Sequence, residues 1–470
     1  MKSIALGDYT VNLGQGLVQW QSQAYNKSSS VINIKRQSET LRPYHSAGEY
    51  NFLRGIGVTL KKGNIENTLF ASCRSLSANI SPDGFYSKVI SSVQTSGLHR
   101  TLSEIEDRNA VILTTAGGNL KWQKSTGHIG INAVLYRYSL PLLKRDQPYN
   151  FYSIKGRHWA NYSADYSFSF RNYHLFGELA MDKDNHRALT GGVMASLSPS
   201  MDMALIFRCI SPAYQSIYGN AFTENTMPSN ENGIYTGVSF RPAPQWKVDI
   251  YADVFKFPWL RYQADAPGFG CQYLAQLSWQ PNKKVGIYSR FRFKLKPMNE
   301  LLTQENASFL SDKLLRNWRT HISFQFSRDL LLRSRIEMCW FGTPAQPDPE
   351  TGFLLYADLL YKPFGKSWSA STRFQVFETG GYDTRLYAYE NDVLFSNSTP
   401  AFFDHGSRLY INIKGKLNIK ALKSYQVNFG MKASTSLYST KASIGSGGDE
   451  IGGSHKSELK IQLFVCHFSN

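Results

Sequence analysis

The chain has 470 residues, of which 42% are hydrophobic and 14% aromatic, and its formal net charge is +17. Its mean hydropathy is −0.34, and no run approaches the ~18 apolar residues of a spanning helix, which excludes a helical membrane protein. A transmembrane β-barrel is compatible with this low hydropathy, because the residues that face its lumen are polar. The five cysteines are widely spaced and odd in number, so they predict neither a disulfide framework nor a zinc site.

The N-terminal residues, Met1-Lys-Ser-Ile-Ala-Leu-Gly-Asp-Tyr9, lead directly into a strand pattern. No basic stretch followed by an apolar stretch marks a signal peptide. Since an outer-membrane protein needs such a signal, we expect either a mature chain or one whose true N-terminus is missing.

Apolar and polar residues alternate along most of the sequence. In the segment 286–296, Ile287, Phe291 and Phe293 alternate with Arg290 and Arg292. Successive side chains of a strand point to opposite faces, so each such segment has one apolar and one polar side. The pattern predicts an all-β fold, a large antiparallel transmembrane β-barrel of about 20 strands with lipid outside and water inside.

Strand pairs joined by short turns rich in Pro, Asn, Asp and Gly predict hairpins. In chain order, the clearest pairs are Ile234–Arg241 with Trp246–Phe255, Phe269–Trp279 with Val285–Lys296, His321–Phe326 with Leu331–Trp340, and Phe353–Tyr361 with Ser369–Phe377. Longer segments, including 21–47, 81–109, 212–233 and 379–406, lie between the strands. Short turns at one end and long connections at the other predict periplasmic turns and extracellular loops in a single domain spanning 1–470.

The last predicted strand, Ser457–Phe468, alternates in the same way. Its aromatic residue is followed by Ser469 and Asn470, a small departure from the terminal aromatic that is usual in such barrels.

Basic residues on the polar sides of the strands predict a positively charged lumen wall. They are Arg290, Arg292, Lys294, Lys296, Arg333, Arg335, Lys414, Lys416 and Lys460. Two interpretations stay open: a channel that selects anions, or a wall neutralised by acidic residues. The acidic candidates are Asp249, Asp253, Glu337, Asp358, Glu458 and loop carboxylates.

The segment 381–394 is the densest polar and aromatic stretch of the chain. Its candidate binding or gating residues are Asp383, Arg385, Tyr387, Tyr389, Glu390 and Asp392. Such a loop can bind sugar or peptide, or it can fold over the lumen and be held by arginine–carboxylate pairs. A second aromatic stretch, 257–262, is either an anchor for a binding surface or part of an interfacial aromatic girdle.

No catalytic motif of the nucleophile-elbow, zinc-protease or phosphate-loop type occurs in the sequence. The acidic stretches Glu104–Arg108 and Asp348–Glu350 lack the ligand spacing of a calcium loop and are expected in solvated loops. We therefore predict no catalytic, cofactor or metal residues. A hydrolase assembled from Ser and His on neighbouring strands stays as an alternative.

Several motifs resemble the barrel region of Bacteroidetes outer-membrane proteins of the helix-hairpin-helix, competence-type DNA-binding family. They include Leu6-Gly-Asp-Tyr with Gly14-Gln-Gly-Leu17, Asn33-Ile-Lys-Arg36, 218–225 and 381–394. The DNA-binding part precedes the barrel in that family and has no counterpart in this sequence. The resemblance also implies strands before the Gly-Asp-Tyr motif, so we expect this chain to lack the first strands of its barrel.

The sequence thus predicts a non-enzymatic protein of the bacterial outer membrane, in transport or in the assembly or scaffolding of surface components. The alternatives are a DNA-uptake or DNA-binding envelope component and an outer-membrane hydrolase. The expected partners are outer-membrane lipid and lipopolysaccharide, other envelope proteins and, in the DNA alternative, nucleic acid.

Overall fold

A computed structural model describes the chain except for positions 47, 49, 98, 302–307, 395, 397, 398, 418–424, 446 and 468–470. Its strands are β1 Ser3–Val11, β2 Leu41–Pro43, β3 Leu53–Lys62, β4 Ile65–Leu76, β5 Ala78–Asp83, β6 Ser87–Val93, β7 Val111–Lys124, β8 Gly127–Leu142, β9 Gly156–Phe170, β10 Tyr173–Asp182, β11 Arg187–Ser198, β12 Met201–Ile210, β13 Glu231–Ala243, β14 Trp246–Phe257, β15 Gly268–Trp279, β16 Val285–Leu301, β17 Ser308–Gln325, β18 Leu330–Gly342, β19 Glu350–Tyr361, β20 Trp368–Thr379, β21 Leu386–Tyr387, β22 Ala401–Phe402, β23 His405–Leu417, β24 Tyr425–Tyr438, β25 Ser443–Ile444, β26 Ile451–Gly452 and β27 His455–His467.

Helical structure is confined to the short helix α1, Leu102–Glu106, and two 3-10 turns, Pro148–Asn150 and Gly447–Asp449, in the part of the chain that the structure describes. None of these helices has the length and apolar character that a bilayer-crossing helix needs. The prediction of an all-β, antiparallel fold is confirmed. Twenty of the strands have nine or more residues, in agreement with the predicted number. The predicted aromatic end at Phe468 lies outside the described residues.

Contacts between residues divide the chain into two compact units. Unit 1 contains Met1–Phe240, Asp249–Tyr273 and Lys296–Asp312, and unit 2 contains Arg241–Val248, Leu274–Leu295 and Lys313–Asn470. In unit 1, a continuous antiparallel ladder joins β1, β3, β4 and then β7 to β13 in succession. In unit 2, the ladder runs through β17, β18, β19, β20, β23, β24 and β27. The single domain spanning 1–470 stays a prediction.

The connections of each unit alternate between short and long. In unit 1, tight turns lie at 63–64, 125–126, 171–172 and 199–200, whereas the connections at the opposite strand ends include 12–52, 77–110, 143–155 and 211–230. The connection 183–186 at the long end is a short exception. In unit 2, the connections 326–329 and 362–367 are shorter than 380–404 and 439–454 at the opposite end. The predicted asymmetry of turns is therefore present within each unit.

The connection between β4 and β7 differs from the predicted loop at 81–109. It contains the β5–β6 hairpin and α1, so Glu104 lies on a helix and not in an irregular loop. The Thr101 hydroxyl accepts the Glu104 N–H at 3.2 Å, and the Glu104 carboxylate accepts the Thr101 N–H at 3.3 Å. This capping box satisfies donors at the start of the helix, a local signal that the strand pattern does not contain.

In each unit, the antiparallel ladder has one face covered by other segments of that unit and one uncovered face. On β23, Tyr410 and Asn412 are 1% and 2% exposed, whereas Leu409 and Ile411 between them are 41% and 47% exposed. The same alternation holds on β20, where Arg373 and Gln375 are buried and Phe374 is exposed. We call these the covered face and the uncovered face. The covered face carries buried charged residues such as Arg373, together with apolar clusters that include Val134 and Tyr136 in unit 1 and Leu354 and Phe377 in unit 2.

In unit 1, the segments 12–40 and 211–230 pack over the covered face. Glu178 on β10 accepts the backbone N–H groups of Gln15 at 2.6 Å and Leu17 at 3.0 Å. Gly16, at φ +84°, passes so close that an added Cβ would lie 2.7 Å from the carbonyl oxygen of Asn220, which only glycine tolerates. The Arg36 guanidinium donates to the Asn220 and Ala221 carbonyls, and burial lowers the pKa of Arg36 to about 10. The motifs near 14–17, 33–36 and 218–225 thus meet on one sheet face.

Candidate functional site: a loop bound to a charged sheet face

In unit 2, the long connection after β20 returns over the covered face. We call residues 380–394 the covering loop. It lies extended, and alternate residues are buried against the sheet: Thr384, Leu386, Ala388, Glu390 and Asp392. The intervening side chains of Asp383, Tyr387 and Tyr389 are exposed. Burial therefore alternates with a period of two in the covering loop as it does in the strands. The loop mostly lacks strand pairing, but one of its sides contacts the covered face of the sheet.

A buried ionic network attaches the covering loop to three strands. Both guanidinium arms of Arg408 on β23 bind the Glu390 carboxylate, at 2.7 and 3.0 Å. Lys432 on β24 lies 2.9 Å from Glu390 and 3.3 Å from Asp392. Lys460 on β27 contacts the same Asp392 oxygen at 3.1 Å. We call these five residues the loop clamp.

Three members of the loop clamp are withdrawn from water, whereas the side chains of Arg408 and Lys460 are 12% and 32% exposed. The side chains of Glu390 and Asp392 are 0% exposed and that of Lys432 is 1% exposed. Removing one member of such a pair leaves an uncompensated buried charge, at a cost of about 3–5 kcal/mol. Burial raises the pKa of Glu390, but hydrogen bonds and charge from Arg408 and Lys432 outweigh it and hold that pKa below its ordinary value. The pKa of Asp392 is likewise lowered, because the Val393 N–H, Lys460 and Lys432 outweigh burial.

Neutral contacts complete the attachment of the covering loop. Leu386 and Ala388 pack in an apolar cluster with Leu354, Phe377 and Phe402. The Cys339 thiol donates to the Thr384 carbonyl at 3.0 Å, and the Thr384 hydroxyl donates to Glu350 at 2.6 Å. The loop therefore has an apolar contact region near β19 and an ionic one near β24.

Of the residues predicted to form the basic wall, only some contact the covering loop in the part of the chain that the structure describes. Arg335 donates to the Tyr387 carbonyl at 2.8 Å and forms an ion pair with Glu337, and Lys460 belongs to the loop clamp. Arg333 lies opposite Asp358 in the β18–β19 register. Arg290, Arg292 and Lys294 are half-buried on β16. Lys414 and Lys416 are exposed on β23 and form no ion pair within the described residues.

Three of the acidic residues proposed to neutralise the wall, Asp358, Glu337 and Asp253, form ion pairs with arginines outside the predicted set of wall residues. Arg373 binds Asp358 through two hydrogen bonds of 2.5 and 2.8 Å, and Arg319 lies 2.7 Å from Glu337. In unit 1, Arg208 binds Asp253 at 2.8 and 2.9 Å. Among the predicted wall residues of unit 2, Arg335 pairs with Glu337, and Lys460 pairs with Asp392 and Glu458.

The exposed side of the covering loop carries the remaining candidate binding residues. The Arg385 guanidinium donates to the Tyr387 hydroxyl at 2.8 Å and lies 4.1 Å from the Tyr382 ring centroid. Asp383 lies 3.9 Å from Arg385. Tyr389 is 54% exposed. The six predicted loop residues thus divide into two whose side chains bind the sheet, Glu390 and Asp392, and four whose side chains do not, although the Tyr387 carbonyl accepts from Arg335.

Two members of the loop clamp, Arg408 and Lys432, were not among the predicted site residues. Arg408 begins the alternating segment 408–417, and Lys432 is an isolated cation in a strand rich in Ser and Thr. The sequence feature that could have identified Lys432 as a site residue is an isolated cation on the polar side of a strand. In the described part of the chain, no three His, Cys, Asp or Glu side chains are grouped so that they could hold a metal ion.

Comparison with known proteins identifies similar folds only. No family model matches the sequence, and no curated protein is similar to it. Among solved structures, OpdL of Pseudomonas aeruginosa is 10% identical, with 70% of this chain and 86% of that chain covered at a TM-score of 0.36. A BenF-like porin from Pseudomonas fluorescens Pf-5 is 9% identical, with 77% of this chain and 89% of that chain covered at a TM-score of 0.38. The copper transporter OprC is 8% identical, with 88% of this chain and 71% of that chain covered at a TM-score of 0.39.

Proposed function

We propose that the chain is a β-barrel protein of the bacterial outer membrane with a non-enzymatic role in transport. The observation that carries this proposal is the inverted burial of the sheets. Charged residues such as Arg373 and Lys432 are buried on the covered face, whereas Leu459, Ile461 and Leu463 on β27 are 61–71% exposed.

An aqueous environment does not suit this uncovered face. Soluble monomers rarely expose a contiguous apolar patch of more than a few hundred Å², and transfer of apolar surface out of water gains about 25 cal/mol per Å². The apolar residues on neighbouring strands share one side of the sheet, as in lipid-facing barrel walls. In hydrocarbon all strand hydrogen bonds must be satisfied, which favours a closed barrel.

The covering loop gives the transport proposal a specific mechanism. It occupies the polar face along which a hydrophilic solute would move, and the loop clamp holds it there. We propose that release of the loop opens this path and that the half-buried Arg385 and the exposed Tyr387 and Tyr389 are the first to meet the solute. A loop that never leaves the sheet would instead favour the scaffold role.

Planar-bilayer recording of the refolded protein tests the mechanism. We expect small conductance for the wild type and larger or more frequent openings for Glu390→Gln, since the neutral amide cannot compensate Arg408 and Lys432. Asp348→Asn is the matched control, because Asp348 is exposed and forms no ion pair within the described residues. Identical conductance of the wild type and both variants would refute the gating role.

We also propose outer-membrane lipid, lipopolysaccharide and other envelope proteins as the surroundings of this chain, and membership of the helix-hairpin-helix family it resembles. Nucleic acid is a second proposed partner, supported by the net charge of +17 and by the exposed Lys414 and Lys416. Its test is duplex DNA affinity, which should fall steeply with salt. Absence of binding at physiological salt would remove nucleic acid from the proposal.

A further inference from the structure

A cleft of about 250 Å³, open to solvent, lies at the long-connection end of unit 1. Three segments form it: 144–153 after β8, 212–230 after β12 and 259–261 after β14. The covering loop is part of unit 2 and does not line this cleft. We propose that the cleft binds an acidic oligosaccharide, a function separate from the proposed transport.

Three aromatic residues line the cleft, namely Tyr149, Tyr152 and Trp259, and two further rings lie beside them. The rings of Tyr152 and Trp259 lie 5.4 Å apart in an edge-to-face arrangement. Phe151 lies 4.9 Å from Tyr152 and 6.3 Å from Trp259, and Tyr149 lies 5.9 Å from Tyr262. Rings of this kind offer flat apolar surfaces with polar tips, which suits the apolar face and hydroxyl edge of a sugar ring.

The central ring is held in place before any ligand binds. Asn230 accepts the Trp259 N–H at 2.7 Å and donates to the Trp259 carbonyl at 2.8 Å. The indole N–H of Trp259 donates to the Pro148 carbonyl at 3.3 Å, which joins two of the three segments. Asn230 itself has φ +54°, a conformation that Asn accepts more readily than most residues. A preformed site loses less conformational entropy on binding.

Polar groups with unused hydrogen-bonding capacity surround the rings. Tyr149 and Tyr152 line the cleft, and their hydroxyls have no hydrogen-bond partner within the described residues. The side chains of Gln215 and Asn225 donate to the carbonyls of Pro212 and Ser229, and their amide oxygens remain available as acceptors. Hydroxyl and amide groups around aromatic rings match the many donors and acceptors of a sugar.

The charge of the cleft indicates an acidic ligand. Lys144 and Arg261 line it, and no carboxylate does. Lys144 is exposed and forms no ion pair with the described residues, whereas Arg261 donates to the Pro297 carbonyl at 2.9 Å. An adjoining cleft shares Lys144 and adds Arg145, Lys155 and Asp146. A carboxylated or phosphorylated sugar would bring the missing negative charge.

Single-stranded nucleic acid also binds aromatic rings and cations, but the cleft fits it less well. Only two cations line the cleft beside many neutral polar groups, whereas a nucleic-acid groove follows the backbone with a row of positive charge. The observations therefore favour a sugar, and nucleic-acid binding becomes an outcome of the test.

Equilibrium binding to the full chain in detergent micelles tests the inference. The probes are fluorescently labelled tetragalacturonate, neutral maltotetraose with the same label, and a labelled single-stranded DNA oligomer. We expect tetragalacturonate to bind more tightly than either, and Tyr152→Ala to weaken it about tenfold. Lys144→Gln should weaken tetragalacturonate about threefold and leave maltotetraose binding unchanged.

Matched controls are Tyr86→Ala, an exposed ring outside the cleft, and Lys62→Gln, an exposed cation at a tight turn. Both should bind tetragalacturonate like the wild type, and heat-induced unfolding should show that all four variants are folded. No tetragalacturonate binding at millimolar concentration, equal binding by Tyr152→Ala and wild type, or tighter binding of the DNA oligomer would each overturn the inference.

Discussion

Glu390 accepts two hydrogen bonds from Arg408, 18 positions further along the chain, and so joins the covering loop to β23. Because both side chains are buried or nearly so, neither charge can be hydrated if the other is removed. A double-mutant cycle with Glu390→Gln and Arg408→Gln should give a coupling energy of about 1–3 kcal/mol. Equilibrium unfolding of protein in lipid vesicles measures it, and additive single effects would contradict the direct pair.

Close packing of the loop against β19 predicts the effect of a small substitution. An added Cβ at Gly352 would lie 2.4 Å from the Thr384 carbonyl oxygen, so Gly352→Ala should displace the covering loop at a cost of about 1–3 kcal/mol. Trypsin cleavage after Arg385 should then become faster by about tenfold. Gly452→Ala is the matched control, because no atom lies within 4 Å of its added Cβ. Equal cleavage rates in both variants would show that the position of the covering loop does not depend on the close contact between Gly352 and Thr384.

The lowered pKa values of Glu390 and Asp392 predict an acid-induced release of the loop. A carboxyl group whose pKa is lowered on binding contributes stability above its ordinary pKa, and this is lost as the pH falls through the lowered value. Conductance should therefore be constant from about pH 5 to pH 8 and rise only below about pH 4. In Glu390→Gln the acid response should be smaller, since one titrating group is gone. A rise between pH 5 and pH 8 would be inconsistent with these carboxylates as the titrating groups.

A second buried network should hold the covering segments of unit 1. Arg208 binds Asp253 and Glu231, all with 0% side-chain exposure, and Glu231 accepts the backbone N–H groups of Glu224 and Asn225. Arg208→Gln should destabilise unit 1 by about 3–5 kcal/mol. Hydrogen exchange at 224–225 should become faster than in the control Arg157→Gln, which changes an exposed cation. Unchanged exchange would mean that the segment is held by other contacts.

Much of the fold could be predicted from the alternation of apolar and polar residues along the sequence. This alternation identified the strands and their two sides, so the exposure of Ile411 and the burial of Asn412 follow from the period of two. It did not identify α1 or the β5–β6 hairpin, because caps and short turns depend on local hydrogen bonds and not on a repeating pattern.

The site was only partly predictable. Composition identified the covering loop and its acidic residues, but not the side chains that they bind. Lys432 lies 42 positions from Glu390, and only the pairing of β23 with β24, which places Lys432 opposite Asn412, brings it to the sheet face that carries Arg408. Which loop residues contact the sheet also depends on the register of the extended segment, and a shift of one residue would bury Tyr389 in place of Glu390.

The central claim is that the uncovered face contacts lipid. Nitroxide labels at position 411 and, separately, at position 412 test it in a variant whose five cysteines are replaced, reconstituted in lipid vesicles. Accessibility to oxygen, measured by electron paramagnetic resonance, should be high for the label at 411 and low for the label at 412. Equal accessibility at both positions, or a protein that stays monomeric in water without detergent, would contradict the claim.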